Sequence, residues 1–276
     1  MQKYSESLRL QGKKIAFVPT MGYLHEGHLR LMEEGRRRAD CLVTSIFVNP
    51  TQFGPSEDLD KYPRDFERDE RLSAEVGCDV IFYPSSEEMY PPHYHTYVMV
   101  EDITQNLCGS SRPGHFRGVA TVCAKLFNIV KPHVAVFGKK DFQQLVVIKR
   151  MVQDLNMDLE ILGIDTVREH DGLAMSSRNT YLKDGERKSA LSLSRSLTKA
   201  KNMYQGGERN AAVIIDAVTA SIESMPHTKI DYVKICDTTT MEDVESLDAE
   251  AVLALAVWVG VPRLIDNYVF GEELDV

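Results

Sequence analysis

The stretch KIAFVPTMGYLHEGH, residues 14–28, decides how this chain folds. Its first part, KIAFV at 14–18, is a nearly continuous apolar run, which is typical of a strand buried on both faces. Pro19 ends the run, a Thr-Met-Gly turn follows, and a helix is predicted to begin near His25. A strand that leads through a short loop into a helix is the repeating unit of a parallel α/β sheet.

Four further apolar runs repeat this pattern along the chain. They are CLVTSIFV (41–48), DVIFY (79–83), HVAVF (133–137) and LEILGIDTV (159–167). The clearest helix between them has apolar residues at 119, 122, 123, 126, 127 and 130, a stripe that faces a sheet. Alternating strands and helices predict an α/β fold with a Rossmann-like, doubly wound parallel sheet. Ligands of such sheets bind beyond the carboxyl ends of the strands.

The pattern changes after residue 173. Two amphipathic helices are predicted near 184–205 and 208–225, and three strands near 229–236, 251–259 and 263–270. We therefore predict a Rossmann-like nucleotide-binding domain over residues 1–174. A smaller C-terminal α+β domain, with the role of a lid, is predicted over residues 175–276.

Composition excludes several classes of protein. With 32 basic and 41 acidic side chains the formal charge is −9, which argues against a surface that binds nucleic acid. The longest apolar run, at 251–261, has about half of the ~20 residues that a membrane span needs. The N-terminal stretch lacks the apolar segment of a secretion signal, so we expect a cytoplasmic protein. Five scattered cysteines predict reduced thiols rather than a zinc site or disulfides.

His25 and His28 lie three residues apart at a predicted helix start, so their rings share one face. The first turn of a helix also offers N–H groups and the positive end of its dipole, which favour phosphate. We therefore predict that the two imidazoles stabilise charge on the α-phosphate of a nucleotide. Two alternatives stay open: a zinc site, although no third ligand lies nearby, and a structural pair bonded to backbone.

A second candidate, GKKDFQQ at 138–144, directly follows the run 133–137. Gly138 lets the backbone approach a ligand, and Lys140 offers a cation for phosphate. Asp141 can accept hydrogen bonds from ribose or cap the next helix. The alternative is a capped helix start without a ligand.

A third candidate is DGLAMSSRN at 171–179, where Ser176, Ser177 and Arg178 form a compact set of phosphate donors. An ordinary polar loop with a helix cap is the alternative.

Gln52 and Gln144 each follow a predicted strand, and a neutral amide can orient hydroxyl and carboxylate groups. Surface amides are the alternative for both.

Together these stretches resemble the pantoate–β-alanine ligase (pantothenate synthetase) family of the adenylate-forming nucleotidyltransferases. The matching motifs are PTMGYLHEGH (19–28), FVNPTQFGPSEDLDKYPRD (47–65), RPGHFRGV (112–119), FGKKDFQQ (137–144), VRE followed by DGLAMSSRN (within 167–179) and RLIDN (263–267). An H-x-G-H motif alone is shared by the whole superfamily, whereas this combination is specific to one family.

The resemblance implies a two-step ligation. The carboxylate of pantoate attacks the α-phosphate of Mg-ATP, and the amine of β-alanine then attacks pantoyl adenylate to release pantothenate and AMP. His28 is implied as proton donor, with His25, Lys140 and Arg178 also catalytic, and Gln52 and Gln144 as the pantoate ligands. The implied ATP-binding residues are Thr20, Met21, Gly22, Tyr23, Leu24, His25, Glu26, Gly27, His28, Gly138, Lys139, Lys140, Asp141, Val167, Met175, Ser176, Ser177 and Arg178. The family also implies a homodimer.

One departure from the family concerns magnesium. Some relatives carry consecutive acidic residues where this chain has Arg68-Asp69, so Mg²⁺ is expected to bind mainly through phosphates. Two rival functions are a transferase that moves AMP onto a phosphate ester and a silent nucleotide-binding module. The ligase hypothesis expects His28, Lys140 and Arg178 to converge on a single cleft.

Overall fold

The computed structural model describes residues 1–55 and 57–274, so Ser56 of the motif at 47–65 and residues 275–276 lie outside the described part. The chain divides into two compact units. The first comprises Met1–Glu101, Arg112–Lys139 and Gln144–Asp165, and the second comprises Asp102–Ser111, Lys140–Gln143 and the chain from Thr166 onward. Each unit is built from separate stretches of chain, and the predicted domain boundary after residue 174 stays a prediction.

The first unit contains the predicted parallel sheet. Its strands are β1 (Ile15–Thr20), β2 (Cys41–Ile46), β3 (Val80–Phe82), β4 (Val134–Gly138) and β5 (Glu160–Ile164). Their order is β3-β2-β1-β4-β5, and all four pairings are parallel. The five apolar runs therefore form strands, and the predicted doubly wound α/β sheet is confirmed.

Helices connect the strands and continue after them. In chain order they are α1 (Gln2–Leu10), α2 (Glu26–Arg38), α3 (Phe66–Glu75), α4 (Ser86–Met89), α5 (Leu107–Ser111), α6 (His115–Val130), α7 (Phe142–Asp154), α8 (Asp184–Gln205) and α9 (Ala211–Glu223). Short 3₁₀ turns occupy Pro50–Gln52, Lys139–Asp141 and Ser177–Tyr181. No helix in the described ranges is both long enough and apolar enough to cross a membrane.

Alternation along β1 gives the sheet two apolar faces. Ala16 and Val18 pack with Met32 of α2 in one buried cluster. Phe17 points the other way and meets Phe127 of α6 edge-on, with ring centroids 6.4 Å apart. Because successive side chains of a strand alternate between faces, β1 is covered on both sides and contains no exposed residue.

The second unit is built on an antiparallel sheet, as the C-terminal pattern predicts. Strands β6 (Thr228–Asp237), β7 (Ala251–Val259) and β8 (Arg263–Val269) pair in that order. Leu193 and Leu197 of α8 and Ile214 of α9 belong to the same buried cluster as every second residue of β7, namely Ala251, Leu253, Leu255, Val257 and Val259. The smaller α+β arrangement predicted for this part of the chain is therefore confirmed.

Candidate active site

The order of the parallel strands places two predicted loops at one topological switch point. From β1 the chain proceeds outward through β2 and β3, and β4 then returns to the other side of β1. Ligands bind to doubly wound sheets in the crevice at such a reversal. β1 ends at Thr20 and β4 ends at Gly138, so the loops that follow both strands begin at this crevice.

The loop after β1 turns sharply before α2 begins. Gly22 has φ +84°, and a Cβ atom there would lie 2.9 Å from Cγ2 of Ile46. The Thr20 hydroxyl donates to the Ser45 carbonyl at 2.7 Å and accepts from the Gly22 N–H at 3.2 Å. Thr20 thus contributes its side chain to the turn itself, and only glycine fits position 22 without strain.

Asp69 of α3 binds the backbone of the same loop. Its two carboxylate oxygens accept the backbone N–H groups of Tyr23 and Leu24, each at 2.7 Å. Burial raises the pKa of Asp69, although these two hydrogen bonds and the charge of Arg68 oppose the shift. The loop after β1 is therefore tied to α3 by a carboxylate that is 1% exposed.

Arg68, the neighbour of Asp69 in α3, also binds the loop after β1. Its Nη1 donates to the Leu24 carbonyl at 2.8 Å, and its guanidinium lies over the Tyr23 ring, 5.2 Å from the centroid. A cation that already binds the loop, next to an Asp69 that accepts two amides, does not fit a direct magnesium site. The described residues also contain no cluster of three or more His, Cys, Asp or Glu suited to a metal.

His25 and His28 form a reciprocal cap at the start of α2. His25 is the residue before the first helical position, and its N–H donates to Nδ1 of His28 at 3.3 Å. The two rings are 4.0 Å apart between centroids. Because Nδ1 of His28 accepts a hydrogen bond, the neutral ring carries its proton on Nε2, which makes that nitrogen a donor. The structural and the catalytic interpretations of the pair are therefore compatible.

Gln52 lies beside the loop after β1. Its Nε2 is 3.1 Å from Sδ of Met21, and its Oε1 accepts from Nδ2 of Asn49 at 3.1 Å. Asn49 is 1% exposed and is held by Tyr90, whose hydroxyl donates to Asn49 Oδ1 at 2.8 Å. Asn49 therefore fixes which end of the Gln52 amide faces Met21, namely the donor end.

The backbone of Gln52 is supported by the loop before α6. Arg112 and His115 both contact the Gln52 carbonyl, at 3.3 and 2.9 Å. Glu57 forms a bidentate ion pair with Arg112. Burial favours a higher pKa for Glu57, but Arg112 outweighs it and holds that pKa below its usual range. The charge of Arg112 is thus neutralised locally, and its role here is to support Gln52.

The GKKD stretch is shared between the units. Gly138 and Lys139 belong to the first unit, where Nζ of Lys139 lies 2.8 Å from Asp165. Lys140 and Asp141 belong to the second unit and are half-buried and exposed, respectively. Gln144, in the first turn of α7, is half-buried and belongs to the first unit.

Residues 167–175 form a tight hairpin in the second unit. The Met175 N–H donates to the Val167 carbonyl at 3.0 Å, and the Glu169 N–H donates to the Leu173 carbonyl at 2.8 Å. Two residues that the family resemblance assigns to ATP, Val167 and Met175, are therefore paired directly. At the hairpin tip, burial acts to raise the pKa of Asp171, but hydrogen bonds from Arg187 lower it on balance.

A 3₁₀ turn follows this hairpin and carries the predicted phosphate donors. Ser176 caps the turn, its Oγ accepting the N–H of Arg178 at 3.3 Å. Ser177 is buried and Arg178 is half-buried. Asn179 fastens the turn to the hairpin by donating to Glu169 at 2.6 Å and to the Ala174 carbonyl at 3.0 Å.

The structure brings some predicted residues together and adds two that the sequence did not single out for these roles. Met21 and Gln52 are in contact, and His25 and His28 cap one helix. Asn49 and Asp69 are the additions: Asn49 was recognisable only as a polar residue inside the motif at 47–65, and the sequence considered Asp69 only in relation to magnesium. The predicted convergence of His28 with Lys140 and Arg178 stays a prediction.

Comparison with known proteins gives a consistent result. The sequence profile described as Pantoate-beta-alanine ligase matches residues 1–269. The chain is 71% identical over 276 residues to the pantothenate synthetase of Syntrophus aciditrophicus (strain SB), covering 100% of this chain and 96% of that protein. It is 59% identical over 273 residues to the pantothenate synthetase of Geobacter sulfurreducens, covering 99% and 96% of the two chains.

Two solved structures are similar over nearly their whole length. The crystal structure of pantothenate synthetase from Thermus thermophilus has a TM-score of 0.91 and 45% identity, with 96% of each chain covered. The pantoate-beta-alanine ligase from Francisella tularensis, complexed with beta-gamma ATP and beta-alanine, has a TM-score of 0.80 and 31% identity. That match covers 99% of this chain and 97% of the other.

Proposed function

Because the chain belongs to the pantoate-beta-alanine ligase family, we infer that it joins pantoate to β-alanine in an ATP-dependent ligation. The matched residues, 1–269, include the HEGH loop, the GKKD stretch and the MSSR turn. These segments are distributed over both compact units. The reaction releases AMP and pyrophosphate and yields pantothenate.

One observation carries the choice of a ligase over a phosphate-ester transferase. The donor end of the Gln52 amide faces Met21 of the nucleotide loop, at 3.1 Å. A neutral N–H donor suits a carboxylate or hydroxyl that must keep its nucleophilicity, whereas a second phosphate substrate calls for added cations. We therefore assign pantoate to Gln52 and Gln144, with β-alanine near Gln52.

In the first step a pantoate carboxylate oxygen attacks the α-phosphorus of ATP, and the bond to the pyrophosphate oxygen breaks. Charge builds on the phosphoryl oxygens, where the Nε2–H of His28 donates a hydrogen bond. Lys140, Ser176, Ser177 and Arg178 supply further donors to the phosphates. Holding the two anions in line contributes up to about 7–11 kcal/mol towards the barrier.

In the second step the amine of β-alanine attacks the acyl carbon of pantoyl adenylate. The new C–N bond forms, the acyl–phosphate bond breaks, and AMP leaves with the electron pair while the amine loses a proton. No covalent bond to the protein is needed, so orientation and exclusion of water from the mixed anhydride are the tasks of the chain.

Pyrophosphate exchange tests this function directly. Labelled pyrophosphate should enter ATP when pantoate is present, and β-alanine should not be required, because the adenylate forms before the amine acts. The purified wild-type chain, assayed with each substrate omitted in turn, is sufficient. Exchange that proceeds without pantoate would contradict the ligase and favour the rival transferase, and binding of ATP without exchange would favour the silent module.

Magnesium is proposed to enter with ATP. Arg68 and Asp69 are both engaged with the nucleotide loop, so the cation is assigned to phosphate oxygens and no protein ligand is named. When bound, it neutralises phosphate charge.

The resemblance further supports a homodimer, which sedimentation equilibrium can measure. A cytoplasmic location is also proposed, and it agrees with five free cysteines, since reducing compartments keep thiols unpaired.

A further inference from the structure

The motif RLIDN at 263–267 matches the family but has no part in the chemistry described above. It forms most of β8, an edge strand of the antiparallel sheet. Asp266 and Asn267 within it are 2% and 8% exposed. Acidic and amide side chains are seldom buried so deeply unless hydrogen bonds satisfy them, so their partners indicate what they do.

Asp266 is paired with Arg168 of the hairpin at 167–175. Its two oxygens accept from Nη1 and Nη2 of Arg168 at 2.7 and 3.0 Å, and both side chains are nearly inaccessible. Nη1 also donates to the Gly172 carbonyl at 3.2 Å, across the hairpin. A bidentate guanidinium–carboxylate pair fixes direction as well as distance, so β8 sets the position of the hairpin.

Asn267 holds a different loop. Its Nδ2 donates to the backbone carbonyl of Lys140 at 2.8 Å. Because a trans peptide is planar, a carbonyl directed at Asn267 turns the N–H of Asp141 to the opposite side. The amide of Asn267 therefore determines the orientation of the peptide at the turn before α7.

Adjacent positions on a strand direct their side chains to opposite faces. Asp266 and Asn267 consequently reach two loops from one point on β8, the hairpin with Val167 and the turn with Lys140. Both loops are ATP segments in the proposed function. A single point on the edge strand thus contacts two of the segments that hold the nucleotide.

We propose that Asp266 and Asn267 are positioning residues for ATP, which hold the Lys140 turn and the 167–178 segment in mutual register. This inference rests on the proposed function, because those segments are assigned to ATP there. Each residue acts through the loop that it binds. The affinity for ATP therefore depends on two side chains of β8, although neither is proposed to contact ATP.

The test replaces the side-chain NH₂ group at position 267 by an oxygen atom. In Asn267→Asp the donor that faces the Lys140 carbonyl is replaced by an acceptor, so the turn is pushed away. Since displacement by about 1 Å can cost about 10²-fold, we expect the KM for ATP to rise about 10- to 100-fold. The KM for pantoate should stay within about twofold, which a merely structural role does not predict.

A second variant keeps the inference testable if Asn267→Asp does not fold. Arg168→Lys keeps the charge opposite Asp266 but loses the fork, and it should also raise the KM for ATP. Asn210→Asp is the control for the amide exchange, because Asn210 caps α9 as an acceptor and aspartate caps equally well. Arg263→Lys is the control for Arg168→Lys, because Arg263 also donates through two nitrogens to a carboxylate, that of Asp231, and lies on β8 with Asp266.

Direct binding of a non-hydrolysable ATP analogue, measured by calorimetry, separates this inference from the proposed function. A wild-type chain that binds the analogue but exchanges no pyrophosphate contradicts the ligase, and the variants still test the positioning role. Unchanged analogue affinity in folded Asn267→Asp and Arg168→Lys overturns the inference. The inference is also overturned if Asn267→Asp and Arg168→Lys raise the KM values for ATP, pantoate and β-alanine equally and the control variants Asn210→Asp and Arg263→Lys do the same.

Discussion

At the scale of single residues, one backbone hydrogen bond decides what His28 can do. The His25 N–H occupies Nδ1 of His28 at 3.3 Å, so the neutral ring offers Nε2–H as a donor. A structural cap and the proposed catalytic donor are thereby combined in one imidazole. The ring is oriented before any substrate binds, which is the condition under which a single donor contributes most to catalysis.

His28→Ala should slow pantoate-dependent pyrophosphate exchange about 10²–10³-fold, because one preorganised donor is lost. The loss of the reciprocal cap should lower the free energy of unfolding by only about 1 kcal/mol. Exchange rates and urea unfolding measure the two effects separately. His95→Ala, at an exposed loop histidine, is the matched control. A His28→Ala variant with wild-type exchange would remove His28 from the mechanism.

At the scale of elements, α6 sets the position of Gln52. Gly118 of α6 faces the backbone of Thr51 and Gln52, and a Cβ atom there would lie 2.7 Å from Cα of Gln52 and clash with the Thr51 carbonyl. The Gly118 carbonyl also accepts from Nδ2 of Asn49 at 3.2 Å. The helix therefore contacts the backbone of Thr51 and Gln52 without a side chain between them, and this close approach requires glycine.

Gly118→Ala should raise the KM for pantoate and destabilise the fold by about 1–3 kcal/mol, as overpacking does. Helix propensity alone predicts the reverse, a gain of roughly 0.5–1 kcal/mol. Substrate kinetics and urea unfolding distinguish the two expectations. Gly185→Ala in α8 is the control, because the nearest atom to its added Cβ is 3.8 Å away, at Nε2 of His227. Equal behaviour of the two variants would contradict the close approach.

At the scale of the whole molecule, buried and paired carboxylates set the response to acid. Arg112 holds the pKa of Glu57 below its usual 4.5 against the opposing effect of burial, and Arg187 does the same for Asp171 below 3.8. Hydrogen bonds from Thr240 and Thr239 lower the pKa of Asp237. Burial raises the pKa of Asp69, so this carboxylate acts in the opposite direction.

Carboxylates with lowered pKa values stabilise the fold above their unfolded pKa, and that stability is lost as pH falls through the folded pKa. The contribution of Asp69 to stability increases as pH falls, since its folded pKa lies above the unfolded one. The carboxylates with lowered pKa values outnumber Asp69, and burial lowers the pKa of His133. We therefore expect a shallow loss of stability from neutral pH to about 5 and a steep decline below about 4. Urea unfolding across this range measures the profile, and Glu57→Gln should reduce its slope. Stability that increases below about pH 4 would contradict this balance.

Much of the fold was predictable because its signals are local. Five continuous apolar runs became the parallel strands, and the stripe of residues from 119 to 130 became the buried face of α6. The positions of the HEGH, GKKD and MSSR motifs after strands or within loops followed from the same patterns. Periodicity and turn residues act over a few positions, so they can be recognised without knowledge of the rest of the chain.

The sequence by itself determined the fold class, the family and the residue types of the proposed site. Only the tertiary structure decided which way those residues face: Asn49 orients Gln52, Asp69 ties down the loop before α2, and β8 holds two loops through Asp266 and Asn267. These partners are separated by 3 residues in the first case but by 46, 98 and 127 in the others. Such pairings form when distant segments pack together, and no local pattern of apolar and polar residues encodes them.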